Sequence, residues 1–141
     1  SDACLARAGG QDWRGLAIEK RLVGRLDLAN KEIRKAKAHS RYLTELCELL
    51  QMPWHTKHED IAMLLKEVSS PSTVNSLYNA TEIQYEYMAY DDTYQFSRKC
   101  IKALSSIGDE NAIEKLKMLS NSRIPEISEY ARKELRYKGL L

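Results

Sequence analysis

His55 and His58 stand three residues apart, directly ahead of Glu59 and Asp60. On one helix face such a set would converge on a divalent metal, because a catalytic zinc centre takes three protein ligands and leaves one position open. The spacing argues against it. A helix opened by Thr56 or Lys57 begins between the two histidines and spoils the ligand geometry, and there is no second His–acid pair, His39 being the only other histidine. The alternative is structural. Glu59 and Asp60 suit the positive end of a helix, while Trp54 and His58 pack a junction between helical hairpins. Nucleophilic chemistry has less support: no Gly-x-Ser-x-Gly is present, and Cys100 falls mid-helix on an apolar face with Ala103, Leu104 and Ile107, where burial raises a thiol pKa. Gly9–Gly10 lack the residues of a phosphate-binding loop. Asp91–Asp92 could serve as an acid–base pair, but loop acids ahead of a helix more simply cap it. The sequence therefore predicts no enzyme, no metal and no cofactor.

Binding chemistry is better represented. Tyr78, Tyr85, Tyr87, Tyr90 and Tyr94 are five of the chain's eight tyrosines, and Glu82, Glu86, Asp91 and Asp92 lie among them with no Lys or Arg between residues 82 and 94. Tyrosine supplies rigid, amphipathic contact area and is enriched at interfaces. Interleaved acids attract a cationic partner and speed encounter. The candidate partner-binding residues are thus Glu82, Tyr85, Glu86, Tyr87, Tyr90, Asp91, Asp92 and Tyr94. The competing expectation has the tyrosines packing a seam between helices with their hydroxyls outward. Both hold together if Tyr87 and Tyr90 face inward and the acids outward.

The net charge of +2 conceals a pattern. Residues 1–50 sum to +3, residues 51–97 to −5 with Lys57 and Lys66 as their only bases, and residues 98–141 to +4. An acidic belt between two basic ends differs from the continuous basic stripe of a nucleic-acid binder, so nucleic acid is not the expected partner. Arg132, Lys133, Arg136 and Lys138 read as a helix C-terminus favoured by its dipole, and Arg34, Lys35 and Lys37 as a solvated face.

The elements that must position these residues are helices. Ile18, Leu22, Leu26, Ala29 and Ile33 recur at helical spacing, with Asn30 able to cap a new helix. Ser40 opens a stripe of Leu43, Leu46, Cys47 and Leu50 that Met52–Pro53 ends. A helix through Val68, the link Ser69–Ser70–Pro71–Ser72 and a helix over Thr73–Ala80 follow, with Pro71 suited to a first helical position. Thr81–Tyr94 interrupts the pattern. It resumes from Asp92 through Ile107, stops at Gly108, restarts behind Asp109 over Glu110–Ser120, and runs last from Pro125 to Gly139 with Ile127, Ala131 and Leu135 on one face. The hairpin is written more than once. Moved back 39 positions, Ile107, Ile113 and Leu116 fall on Val68, Val74 and Leu77; moved forward 31, Cys100, Leu104 and Gly108 fall on Ala131, Leu135 and Gly139. A recurrence of this length in paired helices signals a stacked α-solenoid, a fold that offers one extended recognition surface.

The 141 residues suit a single domain. No apolar run approaches the ~20 residues that span a bilayer, no basic-then-apolar leader opens the chain, and Ser1–Gly10 are assigned no structure. Cys4, Cys47 and Cys100 are odd in number and irregularly spaced, which predicts free thiols and a cytoplasmic setting rather than a disulfide framework.

Phe96–Gly139 resembles HEAT repeats, most closely at Ala103–Ile113. Trp54–His55, His58–Ile61, Tyr87–Asp92 and Cys100–Ile107 together look like a bacterial HEAT-repeat family found among immunity proteins of polymorphic-toxin and contact-dependent growth inhibition systems. That likeness spans roughly residues 43–138. It implies an all-α, right-handed solenoid of stacked antiparallel helix pairs, about seven helices in one domain. Residues 1–40 would form a helical cap, and residues 41–141 HEAT-like hairpins with an insertion at 81–94. It further implies a non-enzymatic, cytoplasmic protein that binds a cognate toxin's C-terminal domain through a cationic surface such as a nuclease-type active site. The alternatives are a HEAT scaffold in a larger assembly, or a nucleic-acid-binding protein using Arg132, Arg136 and their neighbours.

Overall fold

The computed structural model describes residues 40–141. The expectations for the N-terminal cap lie outside the described residues: the run from Ile18 to Ile33, the Asn30 cap, and the basic Arg34, Lys35 and Lys37. So do Cys4, Gly9–Gly10 and His39. The described residues fold into α1 (Ser40–Leu50), α2 (His58–Val68), α3 (Val74–Ala80), α4 (Gln95–Ile107), α5 (Glu110–Leu119) and α6 (Pro125–Tyr137), with 3-10 turns at Pro71–Thr73 and Glu86–Met88. No strand occurs among them, so the architecture is all-α. None of these helices is long and apolar enough to cross a membrane.

The amphipathic spacing explains why each helix forms and which face it buries. Leu43, Leu46, Leu49 and Leu50 of α1 are buried, as are Ile61, Leu64, Leu65 and Val68 of α2 and Ile127, Ala131 and Leu135 of α6. The first turn of α2 carries Glu59 and Asp60 and its last turn Lys66, each on the favourable end of the dipole. Pro71 sits at the first position of its 3-10 turn and Pro125 at that of α6, where a missing N–H costs nothing. Asp109 caps α5, its carboxylate accepting from the Ala112 N–H at 2.8 Å. The central element is α4, which packs against α2, α3, α5 and α6; α1 lies on α2 and α3, and α5 on α6.

Three helix ends share one backbone solution. Ser69, Gly108 and Gly139 close α2, α4 and α6 in the left-handed region, with φ of 50°, 63° and 73°. They occupy equivalent positions in the 39- and 31-residue frame. After α6 the Gly139 N–H bonds the Arg136 carbonyl and the Leu140 N–H bonds that of Leu135, a Schellman closure. Ser69 takes the strained conformation without being glycine. Its hydroxyl donates to the Lys66 carbonyl at 2.6 Å and lies 2.6 Å from Ser106 Oγ, bonds that offset the strain and join the end of α2 to α4. Gly108 has no such compensation available. A Cβ there would sit 3.2 Å from the Ser105 carbonyl oxygen and 3.3 Å from Lys138 Nζ. Gly108→Ala is expected to lower the unfolding free energy by about 1–2 kcal/mol, read as a shift of the urea midpoint at unchanged slope.

One boundary departs from the sequence expectation. The helix expected from Asp92 begins at Gln95. Asp91 is the cause: its Oδ1 accepts from the Thr93 N–H and hydroxyl, and its Oδ2 from the Gln95 N–H at 3.1 Å. The carboxylate holds residues 91–94 in a turn, Tyr94 takes a left-handed φ of 56°, and helical geometry starts only beyond it.

Candidate functional site

Residues 81–94 carry no α-helix, only the 3-10 turn Glu86–Met88, yet they are tied down along their length. The Ser97 hydroxyl donates to the Thr81 carbonyl at 2.5 Å, the Ser122 hydroxyl to Glu82 at 3.0 Å, and the Tyr130 hydroxyl to the Thr93 carbonyl at 2.5 Å. The middle is held by an aromatic column. His55 stacks on His58 at 4.0 Å between ring centroids, and His58 on Tyr85 at 3.7 Å. Trp54 meets His55 edge-on at 4.9 Å, and Phe96 closes the column against His58 and Tyr85.

The hydrogen bonds of the column fix the protonation of its imidazoles. His58 is fully buried. Its Nε2 lies 2.6 Å from the Met52 carbonyl, an acceptor only, so Nε2 carries the proton. Nδ1 then accepts from the Tyr87 hydroxyl, also at 2.6 Å. His55 has the same tautomer: Nε2 faces the Leu49 carbonyl at 2.6 Å, and Nδ1 accepts from the Lys57 N–H at 3.0 Å. The Tyr85 hydroxyl donates to the Leu50 carbonyl at 2.6 Å. Burial pulls the His58 pKa down to about 4; the Met52 carbonyl opposes that shift and neighbouring His55 adds to it. Burial likewise pushes Tyr85 and Tyr87 up to about 12. His58, Tyr85 and Tyr87 are thus held neutral and hydrogen-bonded, a means of anchoring a loop.

The placement of the tyrosines corrects the expected division. Tyr85 is buried at 5 % exposure, so it anchors the segment and is closed to a partner. Tyr87 is half-buried, its hydroxyl spent on His58. Tyr90, expected inward, stands in solvent at 89 % exposure. Tyr85, bonded to the distant Leu50 carbonyl, and Met88 take the inward positions around the 3-10 turn, which turns Tyr90 away. Glu82, Glu86 and Asp92 are exposed, and Asp91 and Tyr94 half-buried. Hydrogen bonds from Thr93 and Gln95 hold Asp91 below the usual carboxylate range. The charged and aromatic side chains that residues 82–92 present outward are thus Glu82, Glu86, Tyr90 and Asp92, with Gln84 and Ala89 exposed among them. Tyr78 belongs to α3 instead, with the Lys115 ammonium 4.9 Å from its ring centroid.

Cys100 is fully buried, which drives its thiol pKa up, and Cys47 is raised for the same reason, opposed by Ser76. Arg132 donates from Nε to the Ser120 carbonyl at 3.2 Å, and Arg136 pairs with Glu129 at 2.6 Å. Lys99 reaches Glu59 at 2.6 Å, a bridge from α4 to the first turn of α2. Sequence reasoning missed the extent of the His–Tyr column. The only signal was the apposition of a His pair with a tyrosine-rich segment some thirty residues later, and periodicity does not encode that.

Comparison with protein-family models finds no match for the chain, and neither the curated proteins nor the solved structures yield one.

Proposed function

We propose that this chain is an immunity protein that binds a cognate bacterial toxin domain and covers its functional surface. The observation that carries the reading is the construction of residues 82–92. A hydrogen-bonded aromatic column holds the segment from within, and Glu82, Glu86, Tyr90 and Asp92 project from it. A pre-ordered loop loses little entropy on binding. An exposed tyrosine among acids suits a cationic partner surface, such as a nuclease-type active site. The resemblance of residues 43–138 to HEAT-type immunity proteins points the same way.

The proposed architecture is a right-handed HEAT-like solenoid in which α2/α3 and α4/α5 are successive helix pairs and α6 begins a third. Support comes from the equivalent left-handed ends at Ser69, Gly108 and Gly139, and from α2 packing on α4, α4 on α6 and α3 on α5. The proposed setting is the cytoplasm, where such a protein would meet an incoming toxin.

Co-expression tests the function. A protein captured with this chain should arrest growth when produced alone and be tolerated when the chain is produced with it. A stoichiometric partner that is harmless alone would remove the immunity reading and favour a scaffold.

A further inference from the structure

The sequence places an acidic belt between two basic ends, but the fold redistributes that charge. Lys66, one of only two bases in residues 51–97, leaves the end of α2 beside Lys102 of α4 and beside Lys133 and Lys138 of α6 and its C-cap. Together with Ser105, Ser106 and Tyr137 they line an open groove of about 620 Å³, within the size of a ligand cleft. One acid, Glu134, shares that lining, and it is committed to Lys102 at 3.1 Å. Among the described residues Lys66, Lys133 and Lys138 have no ion pair. The floor is fixed, because Ser69 and Ser106 join α2 to α4 through hydroxyls 2.6 Å apart. The arginines flagged from sequence contribute less, since Arg136 is paired with Glu129 and Arg132 is bonded to the Ser120 carbonyl.

We infer that this groove binds a single strand of nucleic acid. Three unpaired ammonium groups, one from α2 and two from the end of α6, line the same groove and match a run of phosphates, and serine hydroxyls are phosphate donors. Tyr137, 90 % exposed at the groove, favours nucleic acid over an acidic protein segment: an open aromatic ring stacks on an unpaired base and has no counterpart in an aspartate or glutamate run. A stacked, paired base offers no free face, which selects the single strand over a duplex. The site is separate from residues 82–92 and independent of the partner proposed for them.

The test is fluorescence anisotropy of a labelled single-stranded oligonucleotide titrated with the full chain over a range of salt. Phosphates paired to Lys66, Lys133 and Lys138 give a slope of log affinity against log salt of about −2, at about −0.7 per contact. Replacing Lys66 and Lys133 together by Gln should cut the slope to about −0.7 and weaken low-salt binding by about tenfold or more. Both side chains are exposed and unpaired, so circular dichroism should show an unchanged fold. Tyr137→Ala should weaken binding about tenfold while leaving the slope alone. Absence of binding at low salt, indifference to the lysine replacements, or equal affinity for poly-glutamate or for a duplex would each overturn the inference.

Discussion

Acidification from pH 7 to about 4 is expected to cost the folded chain up to about 3 kcal/mol through His58 alone. The folded pKa is about 4, against an ordinary histidine value of 6.5. Between those values the unfolded chain binds a proton that the folded chain refuses, so stability rises with pH across the window. The contribution is present in full above pH 6.5, falls steadily toward pH 4, and levels off below it. Geometry gives the shift its cause. Protonated His58 would be a buried cation whose Nδ1 could no longer accept from Tyr87, stacked 4.0 Å from a second imidazole. Urea unfolding at a series of pH values checks this. His58→Gln should be less stable at pH 7, because the stack is lost, and should show a much flatter dependence between pH 6.5 and 4. Because Tyr87 holds the segment bearing Tyr90, the same protonation should loosen the proposed docking surface.

Leu104→Ala is expected to destabilise by about 3–4 kcal/mol, the range of a buried leucine whose cavity cannot close. Leu104 is fully buried on α4, the helix that packs against four others, so no single neighbour can move in without losing contact elsewhere. Met118 supplies the contrast on α5. It is 46 % exposed, and Met118→Ala should change stability by no more than about 0.5 kcal/mol. Chemical denaturation of both variants at pH 7 reads the difference. A Leu104 variant as stable as the parent would mean that α4 is not the centre of the core.

Helix existence and stops were legible in the sequence because they depend on local chemistry. Gly108 and Gly139 end helices where a left-handed residue is required, Asp109 caps through its own side chain, and Pro125 starts a helix at a position that needs no N–H. The leucines and isoleucines at helical spacing found the core for the same reason. The candidate site was legible only as a composition. Outside a helix no period says which tyrosine turns inward, and the order Tyr85 in, Tyr87 half in, Tyr90 out is set by contacts with Leu50 and His58, far away in the chain. The delayed start of α4 likewise depends on Asp91 bonding three groups at once, which a capping rule does not foresee. The basic groove was hidden because net charge counted along the chain cannot see Lys66 arriving beside Lys133.

Whether residues 82–92 form the docking surface is decided by affinity capture of the tagged chain from its native cells, in parallel with a variant carrying Glu86→Lys, Tyr90→Ala and Asp92→Lys. All three side chains are exposed, so the variant should fold and melt like the parent. The parent is expected to retain a stoichiometric protein partner at low salt and less of it at higher salt, and the variant to retain none. A partner held equally by both would contradict this and move the binding surface away from residues 82–92.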